Sequence, residues 1–344
     1  MRFLLIGGSG FVGPPLAREL QRFGHTVAVF HRGVSDASLE TVESILGDRN
    51  HLNEHKEQFR RFAPDVVIDL ILSSGPQAEA LMTTFRGIAK RVAAISSMDV
   101  YRAAGVLHGT ESGPLEPVPL TEDSPVRQNL HVYPPETLKI LRGVFSWVDD
   151  AYDKIPVERT VLADPDLPAT VLRLPMVYGP ADRLHRLFPL LKRMQDGRMK
   201  IICSAEMATW RWSRGYVENV AAAIALAACA EQVVGRVYNI CEEPALSELE
   251  WAKKIAAAAG WPGEFAILPR ERTPKHLLPP GNTAQHWVAS SERIRRELGF
   301  SEPISLEEGI RRSIAWESQN PPAEINFQQF DYAAEDEALA DSAA

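Results

Sequence analysis

Short runs of consecutive apolar residues alternate with stretches of helical periodicity over the first hundred positions. Residues 2–6 (RFLLI) form one such run, as expected for a parallel strand buried on both faces. Val12, Leu16, Leu20 and Phe23 then recur at helical spacing, and Gly24 follows as a helix stop. Residues 26–30 are the next apolar run. Residues 50–62 are polar and helical, with Leu52, Phe59 and Phe62 as their apolar members, and residues 65–72 (DVVIDLIL) and 91–97 (RVAAISS) are further strands. Strand, helix, strand with short connections predicts a parallel sheet covered on both faces.

Residues 102–135 break this rhythm with Gly, Pro, Glu and Ser (GTESGPLEPVPLTEDSP). They predict a long surface excursion of the kind that serves as an active-site lid. Beyond it the pattern predicts a helix over 145–163, a strand over 169–178 and helices over 184–194, 218–230 and 247–259. A strand over 236–240 and late helices over 290–298 and 306–317 complete it. After residue 319 the chain is acidic and Ala-rich, a composition expected to fray.

The 344 residues are 45% hydrophobic and 24% charged, so the chain is globular rather than disordered. A net charge of −8 gives no general attraction to nucleic acid or anionic lipid, and neither is an expected partner. Cys203, Cys229 and Cys241 are few, widely spaced and without a CxxC, which reads as reduced core thiols. The apolar run at residues 3–6 is too short for a signal-peptide core, and no window reaches membrane-span length; the expected location is the cytoplasm. His185, His276 and His286 lack the spacing of metal ligands, so no metal is assigned.

The strongest chemical signal is Gly7-Gly8-Ser9-Gly10-Phe11-Val12-Gly13, placed between a predicted strand and an amphipathic helix. That context is what a dinucleotide fingerprint requires. Gly7 permits the tight turn, Gly10 lets backbone approach a pyrophosphate, and Gly13 lets the helix pack close to the strand. Unpaired amides at the helix start, Phe11 and Val12 among them, then face the phosphates. Pro14 and Pro15 follow directly and stiffen the helix entry, where their missing N–H groups cost little. Arg32 ends the second strand, where a carboxylate would take the adenosine ribose of NAD; an arginine there takes a 2′-phosphate or stacks on adenine, favouring NADP over NAD. Asp48 follows the third short strand and either lies near the adenine or caps the helix that begins near Asn50.

Together these stretches resemble the short-chain dehydrogenase/reductase superfamily, in its extended branch of NAD(P)-dependent epimerases and dehydratases. GGSGFVG, PDVVIDL at 64–70, ISSMDVY at 95–101, TEDSP at 121–125, KIPVE at 154–158 and RLPMVYGP at 173–180 carry the resemblance. RGYVENVA at 214–221, VYNI at 237–240 and ELGF at 297–300 extend it. The fold class it implies is α/β: a Rossmann-like, doubly wound parallel sheet over residues 1–180, with a smaller C-terminal α/β substrate lobe over 181–318 in which Rossmann elements recur, and a tail over 319–344. Family chemistry implies a Ser, a Tyr and a Lys four residues after the Tyr, the lysine and the oxidised nicotinamide lowering the phenol's pKa.

Ser97 and Lys154 match that pattern, and Glu158 follows Lys154 as in the family. Four residues before Lys154 stands Asp150, and the nearest tyrosine is Tyr152. Two residues apart on a helix point in different directions, so the usual dyad is not expected from Tyr152 and Lys154; Tyr133 and Tyr101 are other candidates, Tyr101 more as a packing residue. Arg211 and Arg214 are candidates for a substrate diphosphate. The expected function is an NAD(P)-dependent epimerase/dehydratase- or reductase-like oxidoreductase on a sugar nucleotide or related hydroxyl/carbonyl substrate with an atypical catalytic tyrosine. The alternative is a non-catalytic NAD(P)-binding sensor or a nucleic-acid-binding relative. Relatives of this kind often form homodimers.

Overall fold

The computed structural model describes residues 1–33, 42–279 and 281–340. The first six strands are β1 (Arg2–Ile6), β2 (Thr26–His31), β3 (Glu43–Leu46), β4 (Val66–Asp69), β5 (Arg91–Ser97) and β6 (Ala169–Leu174). They join the strand Val237–Asn239 in a seven-stranded sheet, parallel throughout, in the order β3-β2-β1-β4-β5-β6 and then Val237–Asn239. The order reverses beside β1, and open sheets of this kind hold ligands in the crevice beyond the carboxyl ends at such a point.

The near-continuous apolar strands are explained by two cores, one on each face. Phe3 and Leu5 of β1, with Val27, Val29, Ala93 and Ile95, pack beneath helix α1 (Gly13–Arg22) and the Ala-rich helix Val217–Cys229. Leu4, Ile6, Ala28, Phe30, Val92 and Ala94 face the opposite way. There they meet α2 (Lys56–Phe62) and α3 (Gly75–Phe85). Side chains alternate across the sheet, so both faces need apolar residues and no polar stripe appears.

Several expected elements change at their edges for local reasons. The 50–62 helix is a 3₁₀ segment, Arg49–His55, followed by α2, with a non-helical kink at His51. The 169–178 strand breaks at Pro175, and Met176–Tyr178 leaves the main sheet to pair with Arg214–Tyr216. The 102–135 stretch does not run over the surface throughout: Arg102–His108 forms α4, with Ala103, Ala104, Val106 and Leu107 buried, and Leu120, Arg127 and Val132 are buried further along.

The helix expected over 145–163 is present only in its second half, and a helix that was not expected precedes it. Pro135–Val144 is α5, and α6 runs only over Lys154–Leu162. Asp153 caps α6, its carboxylate accepting from the Ile155 amide at 2.7 Å, and Pro156 sits in the first turn, where a missing N–H is harmless. The tail also departs from expectation. Tyr332–Ala340 is helical, and Glu335, buried, accepts from Arg193 at 2.7 Å, so the chain past residue 319 docks back on the body. No described helix is long and apolar enough to cross a membrane.

Candidate active site

The glycine turn between β1 and α1 is built by close approach. Gly7 has φ +75°, and a Cβ there would lie 2.6 Å from Ile71 Cγ2. A Cβ on Gly13 would lie 2.0 Å from the carbonyl oxygen of Gly8, so the helix start is pressed against the turn's own backbone rather than against the strand. At Gly10 the nearest obstacle would be Gly7 O at 3.5 Å, which leaves that side open to a ligand. Helix α1 has no side-chain cap and no acidic residue in its first turn. The amides of Phe11 and Val12 have no partner among the described residues, and Pro14 and Pro15 remove the competing donors behind them. Free amides, a helix N-terminus and an uncluttered Cα surface fit a pyrophosphate.

Arg32 lies exposed at the end of β2 and donates to Ser146 Oγ at 2.6 Å. Asp48 accepts from the Asn50 amide at 2.8 Å and caps the 3₁₀ segment, the second of the two roles its position allows. Behind it Arg49 pairs with the fully buried Asp69 at 2.7 Å at the carboxyl end of β4.

The early end of α6 places Tyr152 just outside the helix, so the rule that residues two apart diverge does not govern it. The Lys154 ammonium lies 5.8 Å from the Tyr152 ring centroid and 5.5 Å from that of Trp147. Lys154 donates to Leu72 O and, at 3.2 Å, to Ile95 O, while Glu158 pairs with Arg173 instead. Burial pulls the Lys154 ammonium down to about 8, against the carboxylates of Asp99 and Asp69. Asp150 is exposed and pairs with Arg142 at 2.8 Å, away from this cluster.

Asp99, absent from the sequence reading, is the centre of the group. Its Oδ2 accepts from the Tyr152 hydroxyl at 2.8 Å and from the Tyr133 hydroxyl at 3.2 Å. Burial first, and the Asp99 charge second, push both phenols well above their ordinary value. The buried Oδ1 of Asp99 and Nε2 of His108, whose ring stands 5.2 Å from Tyr133, have no hydrogen-bond partner among the described residues. Ser97 Oγ accepts from the Asp99 amide at 3.1 Å, which fixes the turn that carries Asp99. Arg127, fully buried, donates to Asp153 at 2.9 Å and to the backbone of Asp99, tying the 102–135 segment to the cap of α6. The spacing Ser97-x-Asp99 in ISSMDVY is the only sequence signal that points to this carboxylate.

Outside the main sheet, on the strand Arg214–Tyr216, Arg214 is buried, paired with Glu248 and placed 4.7 Å over the Trp251 ring. Arg211 is half exposed and donates to Ala245 O at 2.8 Å. The two reach adjacent carbonyls, Ala245 O and Leu246 O, and each is paired with a carboxylate of the helix Glu248–Ala258, Arg211 with Glu250 at 3.5 Å and Arg214 with Glu248. Arg214 lines a cavity of about 630 Å³ with Trp212, Trp251 and Leu246. Tyr101 is a packing residue, its hydroxyl donating to Asn239 at 2.6 Å.

Residues 3–131 and 151–241 match the model of the NAD dependent epimerase/dehydratase family. The chain is similar to a 2-alkyl-3-oxoalkanoate reductase of Stenotrophomonas maltophilia, 26% identical over 91% of this chain and 98% of that protein. It is also similar to the chloroplast stem-loop binding protein of 41 kDa b of Arabidopsis thaliana, 24% identical over 91% of this chain and 78% of that one. Among solved structures it resembles dTDP-glucose 4,6-dehydratase from Bacillus anthracis in complex with NAD. That match has a TM-score of 0.66 and 16% identity, and covers 93% of this chain and 97% of the other. The chain belongs to the NAD dependent epimerase/dehydratase family.

Proposed function

We propose that the chain, as a member of this family, is an NAD(P)-dependent oxidoreductase that works as a carbonyl reductase, with Tyr152 as proton donor. The observation that carries this is the convergence of Tyr152 and Tyr133 on one carboxylate oxygen of Asp99, above the Lys154 ammonium. In the family pattern a lysine lowers the phenol so that it takes a proton as a base. Here burial and a neighbouring carboxylate raise Tyr152, so the phenol holds its proton at rest, and the acid role requires the Lys154 charge to offset that shift as the proton leaves.

Gly7, Gly10, Phe11, Val12 and Gly13 would hold the pyrophosphate, Arg32 a 2′-phosphate and Asp48 the adenosine end. Bound there, the reduced nicotinamide supplies a hydride to a carbonyl carbon. Tyr152 gives its proton to the carbonyl oxygen, so the phenol O–H breaks as the alcohol O–H forms. Lys154 provides the positive charge that makes the resulting phenolate tolerable. The Ser97 hydroxyl, which accepts but donates to no described residue, is free to hold the same oxygen. The second lobe would supply the substrate walls, where Arg211, half exposed and 3.5 Å from the equally exposed Glu250, would have to exchange that partner for an anionic substrate group such as a diphosphate. Similarity to an oxoalkanoate reductase supports a ketone substrate, and similarity to a sugar-nucleotide dehydratase keeps sugar nucleotides in the panel.

The test is NADPH and NADH oxidation, followed at 340 nm, with 3-oxo acids, their esters and 4-keto sugar nucleotides. Turnover that disappears in Tyr152→Phe is the expected outcome; turnover indifferent to Tyr152 and Lys154 overturns the reading. A second reading, a dinucleotide-responsive stem-loop RNA binder, is favoured by the Arabidopsis similarity. Salt-sensitive RNA binding without turnover would support it.

A further inference from the structure

No residue from 134 to 147 is buried, although α5 lies within this stretch, and Ile140 on that helix is 65% exposed. Core packing holds the stretch only at its ends, through Val132 on one side and Val148 on the other. What fixes its later end is polar. Asp149 accepts from the Ser74 hydroxyl at 2.5 Å and from the Ser73 hydroxyl at 3.3 Å, and its amide donates to Ser73 Oγ at 3.1 Å. Both serines are fully buried. Three residues earlier, Ser146 Oγ accepts from Arg32 at 2.6 Å. Between these two anchors the Trp147 ring stands 5.5 Å from the Lys154 ammonium.

The sheet order says what the stretch crosses. Arg32 follows β2, and Ser73 and Ser74 follow β4; these two strands flank β1. A segment bonded to both therefore spans the crevice above the glycine turn that leaves β1. Ile71, between β4 and the serines, is the side chain that a Cβ on Gly7 would meet at 2.6 Å, which places the serine loop beside that turn. The crossing leaves the floor of the crevice alone. The amides of Phe11 and Val12 have no partner among the described residues, so the segment ties the walls together without using the groups that fit a pyrophosphate.

We propose that residues 134–149 form a strap that closes over the bound dinucleotide, with Asp149 as its latch and Trp147 brought against the lysine end of the crevice. A cover packed into the core could not lift; one fixed by a few hydrogen bonds, with almost no buried apolar surface, opens locally at small cost. Asp149 is thus a positioning residue that sets how long the cofactor stays. The assignment rests on the dinucleotide site of the proposed function and does not depend on which reaction follows there.

The test loads the full chain with NADPH, chases it with excess oxidised NADP and follows release by stopped-flow NADPH fluorescence. Asp149→Ala, with unchanged circular dichroism, should release NADPH about tenfold to hundredfold faster than wild type. Replacing both Ser73 and Ser74 by Ala removes the other half of the latch and should do the same, and combining all three changes should add little. Trypsin gives a second readout: NADPH should slow the cut after Lys139, exposed on α5, in wild type but not in Asp149→Ala. Release as slow in both latch variants as in wild type, or a wild-type cut that NADPH leaves unchanged, overturns the strap. So do faster cutting with NADPH bound and tighter binding in Asp149→Ala, which would make the segment a plug. If the wild type holds no NADPH at all, the dinucleotide site itself fails, and the strap with it.

Discussion

Helix α6 carries two buried polar residues one turn apart, Lys154 and Glu158, and each belongs to a different cluster. Around Glu158 every group is used. Its Oε1 accepts from Ser96 at 2.6 Å and Arg173 Nε at 2.9 Å, and its Oε2 accepts from Arg173 Nη2 at 2.7 Å. Arg173 Nη1 spends itself on the Tyr101 hydroxyl at 3.0 Å and on Glu122 O at 3.1 Å. Around Lys154 the accounts stay open. One oxygen of Asp99 serves two phenols while the other serves none, and Nε2 of His108 is idle. A saturated buried network specifies the fold; one with spare donors and acceptors costs stability unless something else completes it. The same helix thus holds an architectural cluster and a chemical one.

The largest expected effect lies in the closed cluster. Arg173→Met leaves Glu158 as an uncompensated buried carboxylate and should destabilise the chain by roughly 3–5 kcal/mol in urea unfolding. Tyr133→Phe in the open cluster should cost no more than about 1.5 kcal/mol, because Asp99 keeps its bond to Tyr152. A loss under about 1 kcal/mol for Arg173→Met would erase the distinction.

Activity should show the reverse ranking. Tyr152→Phe is expected to lower kcat about 10²- to 10⁴-fold and Tyr133→Phe much less, with both variants folded by circular dichroism. The pH dependence follows from Lys154, which burial holds at about 8. Reduction should fall as pH rises through about 8, where the ammonium loses its proton, and in Lys154→Arg that limb should move to higher pH. Stability should run the other way. The folded pKa lies below the unfolded value, so the unfolded chain holds more protons between about 8 and 10.5. The contribution of this group to stability therefore rises across that window, and Lys154→Met should lack the rise. A wild-type activity profile flat across pH 8 would show that the ammonium is not used.

The difference between the clusters also explains what the sequence disclosed. The glycine turn was legible because its chemistry is backbone chemistry: Gly7 needs a positive φ and Gly13 a Cβ-free approach, and only glycine meets both demands. The alternating strands were legible because two-sided burial leaves one composition. The candidate active centre was not, because it is assembled across chain distance. Tyr133, Asp99 and Tyr152 come from three segments, and Arg127 reaches the α6 cap from a stretch whose prolines and glycines masked its buried anchors. The 145–163 helix was misplaced for a local reason. Asp153 and Pro156 are a start signal for α6, and honouring it would have freed Tyr152 from the helical spacing rule.

Arg32 lies between the two extremes and gives the smallest expected effect. It is charged and exposed, and its one described bond, to Ser146 Oγ at 2.6 Å, is to a neutral hydroxyl. Its charge is therefore neither neutralised as in Arg173 nor buried as in Lys154, and remains available to a phosphate in solvent. Screening by water limits what such a contact contributes. Arg32→Ala should weaken NADP about three- to tenfold while moving NAD less than twofold, both measured by calorimetry at low salt. Raising the salt should shrink the wild-type preference toward that of the variant. Equal losses for the two dinucleotides would mean that Arg32 stacks on the adenine, which both share, rather than reading the 2′-phosphate, which only one carries.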